Sequence, residues 1–430
     1  MGVLKKISPG RIIVLGFFSV ILIGALLLKL PISIRDGQTV TFVDALFTST
    51  SAVCVTGLIA VDTADTFTVF GRTVVALLIQ IGGLGVTSVG VGVILLMGKK
   101  VGIKERMLIK ESMNLDTMQG LVRLVKAVLI MTLSFELIGT ILSYIVFSKD
   151  YSPLDALGIS VFHSVAAFNN SGFDILGGLQ NLIPYQSNIL LNLTTCGLII
   201  FGGLGFLVIR EIIVYKKFSK FSLHTKVVIV MTAFLLIVGT VFLKATEDIS
   251  WLGAFFFSTS ARTAGFSTYP LSNFTNAGLF TLTILMFIGA SPGSTGGGIK
   301  TTTMFTLFRS MYSTATNKYC TAFKRKIPAN TIIKAFNLII LALLVVCMGT
   351  FMLSVLEPNY SFMQLLFETT SAFGTVGLST GITPDLTDPS KIILSVIMFI
   401  GRLGPMTMAT IWSFKQNQGA SYSEEAVIIG

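Results

Sequence analysis

The sequence predicts an all-α integral membrane fold with four span–pore helix–span repeats and pseudo-fourfold symmetry around one central pore. Such a fold has eight transmembrane helices and four re-entrant half-helices. Of the 430 residues, 53% are hydrophobic and 12% are charged, whereas roughly a quarter of an ordinary soluble domain is charged. Eight apolar runs recur along the chain, and a membrane helix needs roughly 20 apolar residues. One motif also recurs four times between these runs, which indicates the repeats.

The apolar runs and the basic loops together predict the orientation of the chain. An even number of spans places both termini, including Lys5 and Lys6, on one side. Seven Lys or Arg residues lie between Lys99 and Lys126, five between Arg210 and Lys226, and seven between Lys300 and Lys334. Cytoplasmic loops carry such an excess, so we expect these loops and both termini on the cytoplasmic side of the cell membrane. The runs lie near Ile12–Leu30, Thr73–Met97, Leu124–Phe147, Asn188–Val214, Val227–Leu243, Ala277–Ala290, Ile332–Val355 and Ile392–Trp412.

The formal net charge of +11 is explained by this topology and does not predict nucleic-acid binding. The basic residues lie in a few short loops, whereas a nucleic-acid-binding protein would spread them over a soluble surface. Acidic residues, Glu368 among them, concentrate in the opposite, outer loops, where they would attract cations. The cysteines lack the spacing of a zinc site or disulfide framework; they are Cys54, Cys196, Cys320 and Cys347.

The outer loops after the first, third, fifth and seventh runs share a motif without gaps when they are aligned on one glycine. A phenylalanine stands ten residues before the glycine, a small residue five before it, and a large apolar residue directly after it. The second run of each repeat then reaches a kink motif, at residues 81–85, 201–205, 288–292 and 400–404. The repeats are expected to cover residues 1–114, 115–220, 221–320 and 321–430, the last with a short cytoplasmic tail. The motif glycines are Gly57, Gly172, Gly265 and Gly377.

Capping patterns predict a short helix before each motif glycine. Thr41 with Asp44, Ser152 with Asp155 and Ser361 with Gln364 place an oxygen at the N-cap and an acid or amide three residues later. Ser250 is the expected cap in the third repeat. From cap to motif is about 11 residues, or about 16 Å of helix, which is half the hydrocarbon thickness of a bilayer. We therefore expect helices that enter from outside and stop midway.

A backbone that leaves a helix at membrane depth must be buried in protein or line a watery cavity. Four such segments facing one another would form a pore. Each half-helix would direct its negative C-terminal end at the pore, and the carbonyls after it would replace the water around a cation. Neutral oxygens favour a weakly hydrated monovalent ion over calcium or a transition metal. The predicted filter residues are Val55, Thr56, Gly57, Asn170, Ser171, Gly172, Thr263, Ala264, Gly265, Thr375, Val376 and Gly377.

With these motifs, nearly the whole chain resembles the Trk/Ktr/HKT superfamily of potassium transporters and is most similar to the membrane subunit of the bacterial Ktr system. Thr375-Val-Gly377 is the segment nearest to a potassium-channel signature, and in that family a glycine at the position of Gly57 goes with potassium selectivity. The resemblance implies potassium as substrate and leaves sodium open as an activator. It further implies a homodimer in the lipid bilayer, resting on a cytosolic nucleotide-binding regulatory ring. No cofactor is expected in this chain, and a nucleotide would bind only through the partner.

The third repeat contains a glycine-rich break just below the predicted filter, where the family has a mobile gating loop. A helix kink or a packing seam is the alternative. Arg402, near mid-membrane, is a functional-site hypothesis by default: it could bind the loop carbonyls or pair with Glu136. The predicted gate residues are Gly289, Ser291, Pro292, Gly293, Ser294, Thr295, Gly296, Gly297, Gly298 and Arg402.

Other function classes fit the sequence less well. Residues 289–293 match the G-x-S-x-G pattern of hydrolases, but Pro292 lacks the N–H that the oxyanion hole needs. The chain has two histidines, too few for a convincing catalytic or metal motif, so an enzyme is not expected. The remaining alternative is a sodium- or ammonium-conducting channel, or a coupled secondary transporter of similar architecture.

Overall fold

The computed structural model describes residues 9–97, 99–112 and 119–410. Lys5, Lys6, the end of the last apolar run at Trp412 and the predicted tail after it lie outside the described residues. The helices are α1 (Pro9–Leu28), α2 (Phe42–Val53), α3 (Thr63–Thr66), α4 (Val69–Leu84), α5 (Val86–Leu96), α6 (Ile103–Ser112), α7 (Leu121–Phe147), α8 (Pro153–Phe168), α9 (Ile189–Leu204), α10 (Phe206–Tyr215), α11 (Leu223–Thr246), α12 (Trp251–Ser260), α13 (Asn276–Phe287), α14 (Thr301–Ala315), α15 (Ala329–Leu356), α16 (Phe362–Gly374), α17 (Asp388–Leu403) and α18 (Pro405–Thr410). Strands β1 (Thr321–Ala322) and β2 (Arg325–Lys326) form a small antiparallel hairpin.

Four helices, α1, α7, α11 and α15, are long and apolar enough to cross a membrane. No more than 39% of the most apolar window of any of them is buried inside the protein. Their remaining apolar surface faces outward, which suits a lipid environment and would be unfavourable in water. These helices coincide with the first, third, fifth and seventh predicted spans.

Each long helix packs against the short helix that follows it, and the predicted caps are confirmed. Thr41 and Asp44 form a capping box on α2, and Ser361 and Gln364 form one on α16. Ser152 accepts from the N–H of Asp155 at the start of α8, and Ser250 accepts from the N–H of Gly253 at the start of α12. The local oxygen patterns thus begin these helices at the predicted residues.

The other four predicted spans are interrupted where the sequence places their kinks. Helices α4 and α5 meet at 99° and α9 and α10 at 98°. Gly85, Gly205 and Gly404 stand at the breaks with φ of +82°, +92° and +89°, a backbone region that glycine adopts readily and that ends a right-handed helix. In the third repeat α13 stops at Phe287, and an irregular loop leads to α14. Among the described residues, length and composition therefore give four membrane helices, or up to six if each bent pair is one span.

Candidate cation filter and the loop beneath it

The four motif segments, far apart in sequence, contact one another in a closed ring. Each motif glycine faces a backbone carbonyl of the next repeat, and a Cβ on the glycine would collide with it. On Gly172, for example, a Cβ would lie 2.7 Å from the carbonyl oxygen of Ala264. The successive contacts are Gly57 to Ser171, Gly172 to Ala264, Gly265 to Val376, and Gly377 to Thr56. All twelve predicted filter residues are buried.

The four segments share an unusual backbone conformation. In each, the motif glycine and the residue two before it have positive φ, while the residue between them does not. Such alternation of positive and other φ values turns successive N–H groups of a segment toward the same side. The values are Val55 +52° and Gly57 +93°, Asn170 +59° and Gly172 +68°, Thr263 +74° and Gly265 +76°, and Thr375 +50° and Gly377 +95°.

The N–H groups of these segments bond back to the ends of the short helices. Gly57 N–H donates to Ser51 Oγ at 3.0 Å, and Gly377 N–H donates to Ser371 Oγ at 3.1 Å. The residue before each motif glycine donates to a helix carbonyl: Thr56 to Ser51, Ser171 to Ala166, Ala264 to Ser260, and Val376 to Ser371. These bonds satisfy the N–H donors on the helix side of each segment.

The glycine-rich loop between α13 and α14 lies against this ring. Gly296 packs against the side chain of Thr263, and Gly297 N–H donates to Thr375 Oγ1 at 2.9 Å. The loop also crosses between repeats, because its N–H groups reach carbonyls of the second and fourth ones. These bonds are Ser291 to Gly203 (3.1 Å), Thr295 to Gly202 (3.3 Å) and Gly298 to Gly401 (3.3 Å). All ten residues from Gly289 to Gly298 thus belong to a segment that contacts the ring and two of the helix breaks.

Arg402 lies beside this loop and connects it to the first repeat. Its guanidinium donates to the carbonyl of Thr295 in the loop and to the carbonyls of Gly82 and Gly83, the last at 3.3 Å. The alternative pairing with Glu136 is not found among the described residues, since Glu136 contacts Gln80 and Asn169 instead. Arg402 therefore acts on backbone oxygens.

Lys300 is a second cation at the loop that the sequence reading missed. Its ammonium donates to the carbonyls of Gly296 at 2.7 Å and Gly297 at 3.2 Å. The sequence pattern predicts it in a cytoplasmic basic loop. Its position two residues after the last glycine of the run was the available signal.

Three polar residues beside the ring have partners that the sequence does not predict. Glu368 was expected in an exposed outer loop, but it lies fully buried in α16. It accepts from Ser379 Oγ at 2.6 Å and Thr383 Oγ1 at 2.8 Å, which holds the chain leaving the fourth segment. Asn181 joins two segments, because it donates to the carbonyl of Gly172 and accepts from the N–H of Ser267. It also donates to Asp174, whose pKa is raised by burial to about 6.

The sequence is similar over nearly its whole length to known transport proteins. It is 39% identical to the Ktr system potassium uptake protein B of Bacillus subtilis (strain 168), covering 99% of this chain and 97% of that protein. It is 37% identical to the potassium/sodium uptake protein NtpJ of Enterococcus hirae, covering 99% and 98%. It is also 37% identical to the Ktr system potassium uptake protein B of Vibrio alginolyticus, covering 98% and 94%.

The fold has a counterpart among solved structures. The crystal structure of the potassium transporter TrkH from Vibrio parahaemolyticus matches with a TM-score of 0.74 at 19% identity, over 95% of this chain and 87% of that chain. The TrkH family, described as a cation transport protein, matches residues 9–424. Its match includes all four segments of the ring, the loop and Arg402. With its long apolar helices, this chain is a multi-pass membrane protein and belongs to the TrkH family of cation transport proteins.

Proposed function

We propose that this protein takes up potassium ions across the cell membrane through a filter of backbone carbonyls. The observation that carries the proposal is the closed ring of four segments, in which each motif glycine faces a carbonyl of the next repeat. Three features support it: the oxygens proposed to face the ion are neutral, the N–H groups bond back to the short helices, and four helix C-termini add negative potential. The curated relatives named as potassium or potassium/sodium uptake proteins agree with this substrate.

The proposed architecture follows the four repeats, 1–114, 115–220, 221–320 and 321–430. Each interrupted second helix completes a crossing, so that eight spans and four half-helices surround one pore with pseudo-fourfold symmetry. Both termini then lie in the cytoplasm. We further propose a homodimer with a cytosolic nucleotide-binding regulatory ring, because two of the relatives are named as parts of a Ktr system.

The loop at residues 289–298 is proposed as the gate. It lies against Thr263 and Thr375, and two cations, Arg402 and Lys300, hold its carbonyls. Ion passage would require the loop to move aside, and the partner ring would favour that movement. Deleting the loop should give rubidium flux that no longer depends on the regulatory subunit, measured in liposomes with and without it. Unchanged dependence would remove the loop from gating.

Substitution of Gly57 tests the filter itself. A side chain there collides with the Ser171 carbonyl and must also adopt a φ of +93°, so the ring should widen or distort. We expect Gly57→Ser to lower rubidium uptake in liposomes and to admit sodium as a competitor, whereas the parent excludes it.

The matched control is Gly158→Ser. Gly158 lies in α8 with open space around its Cα, so its replacement should leave uptake and competition unchanged. A Gly57→Ser protein that still discriminates between rubidium and sodium as the parent does would count against the carbonyl filter. A parent that moves sodium or ammonium in preference to rubidium would favour the alternative substrates.

A further inference from the structure

A buried polar cluster lies directly behind the second segment of the ring. Asn169 follows α8 and precedes Asn170, the first residue of that segment. Its Nδ2 donates to Gln80 Oε1 at 2.7 Å, to Val165 O at 2.9 Å and to Glu136 Oε1 at 3.1 Å. Gln80 Nε2 donates to the other carboxylate oxygen of Glu136 at 3.3 Å. The three side chains form a closed triangle of hydrogen bonds.

The cluster joins two repeats at one point of the ring. Gln80 belongs to α4 of the first repeat, and Glu136 belongs to α7 of the second. Glu136 is 7% exposed and Asn169 is completely buried. At the equivalent position, three residues before the motif glycine, the other repeats carry Cys54, Arg262 and Gly374. Among the described residues, none of these three has a carboxylate as a hydrogen-bond partner. The second segment is therefore held differently from the other three.

Burial of a carboxylate between membrane helices is costly unless it is well bonded, and here both carboxylate oxygens of Glu136 accept hydrogen bonds. What Glu136 does is fix the amide of Asn169. The carboxylate and Gln80 fix one side of that amide, and Gly83 packs against Asn169 Oδ1 so closely that a Cβ would collide with it. The backbone turns to a positive φ at the next residue, Asn170, whose side chain in turn contacts Thr263 Oγ1 at 3.1 Å.

We propose that Glu136 is a positioning residue for ion selectivity: through Asn169 it fixes the start of the second segment and, by way of Asn170 and Thr263, its fit to the third. This inference rests on the proposed potassium filter. Glu136 contacts no ion itself. It acts by presenting two acceptor oxygens to two amide donors, a pattern that no neutral residue of its size can supply.

The pattern of donors and acceptors gives a test that separates position from charge. In Glu136→Gln, the new amide has one oxygen and one N–H₂ group where the carboxylate had two oxygens. Its N–H₂ group must therefore face the N–H₂ group of either Gln80 or Asn169. Flipping any of the three amides transfers this mismatch to another pair of side chains but does not remove it. In the double variant Gln80→Glu with Glu136→Gln, the carboxylate sits on α4 instead, and every donor again faces an acceptor. The double variant keeps the composition and the charge of the parent.

We expect Glu136→Gln to remain folded, by size-exclusion chromatography and thermal melting, and to take up rubidium in liposomes with at least several-fold stronger competition from sodium. The double variant should return sodium competition to the parent level. The inference would be overturned by unchanged sodium competition in the folded single variant. It would also be overturned by a double variant in which sodium competes as strongly as it does in the single variant. A parent that moves no rubidium would instead overturn the proposed function, and this inference with it.

Discussion

The buried guanidinium groups of Arg262 and Arg402 differ in how many hydrogen-bond acceptors surround them. Arg262 precedes Thr263 at the base of the third segment and is 6% exposed. The only described hydrogen bond of its side chain is a long one, from a terminal nitrogen to Thr232 Oγ1 at 3.4 Å, and among the described residues its Nε has no partner. Arg402, by contrast, binds three carbonyls. Since an uncompensated buried charge destabilises a fold, the two residues should respond oppositely to the same change.

We expect Arg262→Met to leave the melting temperature of the purified protein unchanged or higher, because an apolar side chain removes a charge that has no acidic partner among the described residues. Arg402→Met is the matched variant and should melt lower, since three backbone oxygens lose their donor. Melting in detergent by intrinsic fluorescence measures both. A large loss of stability in Arg262→Met would show that its guanidinium has a partner.

The site residues divide according to how local their signals are. Gly57 and its three equivalents could be predicted, because a gapless register of phenylalanine, small residue and glycine marks them in the sequence. Asn181 could not, because its partner Ser267 lies 86 positions away along the chain. Arg262 could not, because the local sequence does not show how few partners its guanidinium has.

Lys300 lies close in sequence to Gly296 and Gly297, but only the fold shows that its ammonium turns back onto their carbonyls. Glu368 was misplaced because its partners, Ser379 and Thr383, reach it only when the following loop folds back onto α16.

At the scale of elements, a glycine in each long helix sets how closely the short helix can approach. Gly24, Gly139, Gly239 and Gly349 each contact a hydroxyl-bearing residue of the short helix and a Leu or Ile of the second helix. In three repeats that hydroxyl donates to the carbonyl three residues before the glycine: Ser49 to Ile21, Ser164 to Glu136, and Ser258 to Leu236. Small residues let membrane helices pack closely, and here these glycines let each short helix pack directly against the long helix before it.

We expect Gly239→Leu to destabilise the protein by about 1–3 kcal/mol, as overpacking of a tight contact does. A Cβ there meets Ser258 Oγ and lies 2.8 Å from Leu285. Gly158→Leu, with open space around it, should have little effect. The comparison is made by thermal melting of the two variants, and equal losses would contradict the packing role of Gly239.

Helix boundaries were the most predictable level of the fold. Caps such as Thr41 with Asp44 and breaks such as Gly85 depend on neighbours within a few residues, so the sequence places them well. Hydropathy alone could not show that the second and fourth predicted spans are bent by 99° and 98°, because a window average does not register one glycine with positive φ.

At the scale of the whole molecule, a buried ion pair joins the last repeat to the first. Lys391 in α17 contacts Asp44 in α2 at 2.9 Å, joining residues 347 positions apart. Both are at most 8% exposed. The pair thus connects the fourth repeat to the first, which is the one junction of the ring that no adjacent stretch of chain can make.

Removing one partner should cost more than removing both, because a single substitution leaves a buried charge unpaired. We expect Lys391→Met to destabilise the protein by about 3–5 kcal/mol, and the double variant Lys391→Met with Asp44→Asn to recover much of that loss. A double-mutant cycle of melting temperatures measures this. Additive losses would show that the two side chains do not interact.

The sequence by itself determined the membrane class, the caps, the helix breaks and the register of the four motif glycines. Each of these depends on composition or on spacing within a few residues, which the chain carries in every conformation. Only the tertiary structure decided that the four segments meet in one ring, that the glycine-rich loop lies against Thr263 and Thr375, and that Asn181 joins two segments of the ring. Those contacts join repeats that are often a hundred or more residues apart, and no local pattern specifies which distant groups a buried donor or charge will meet.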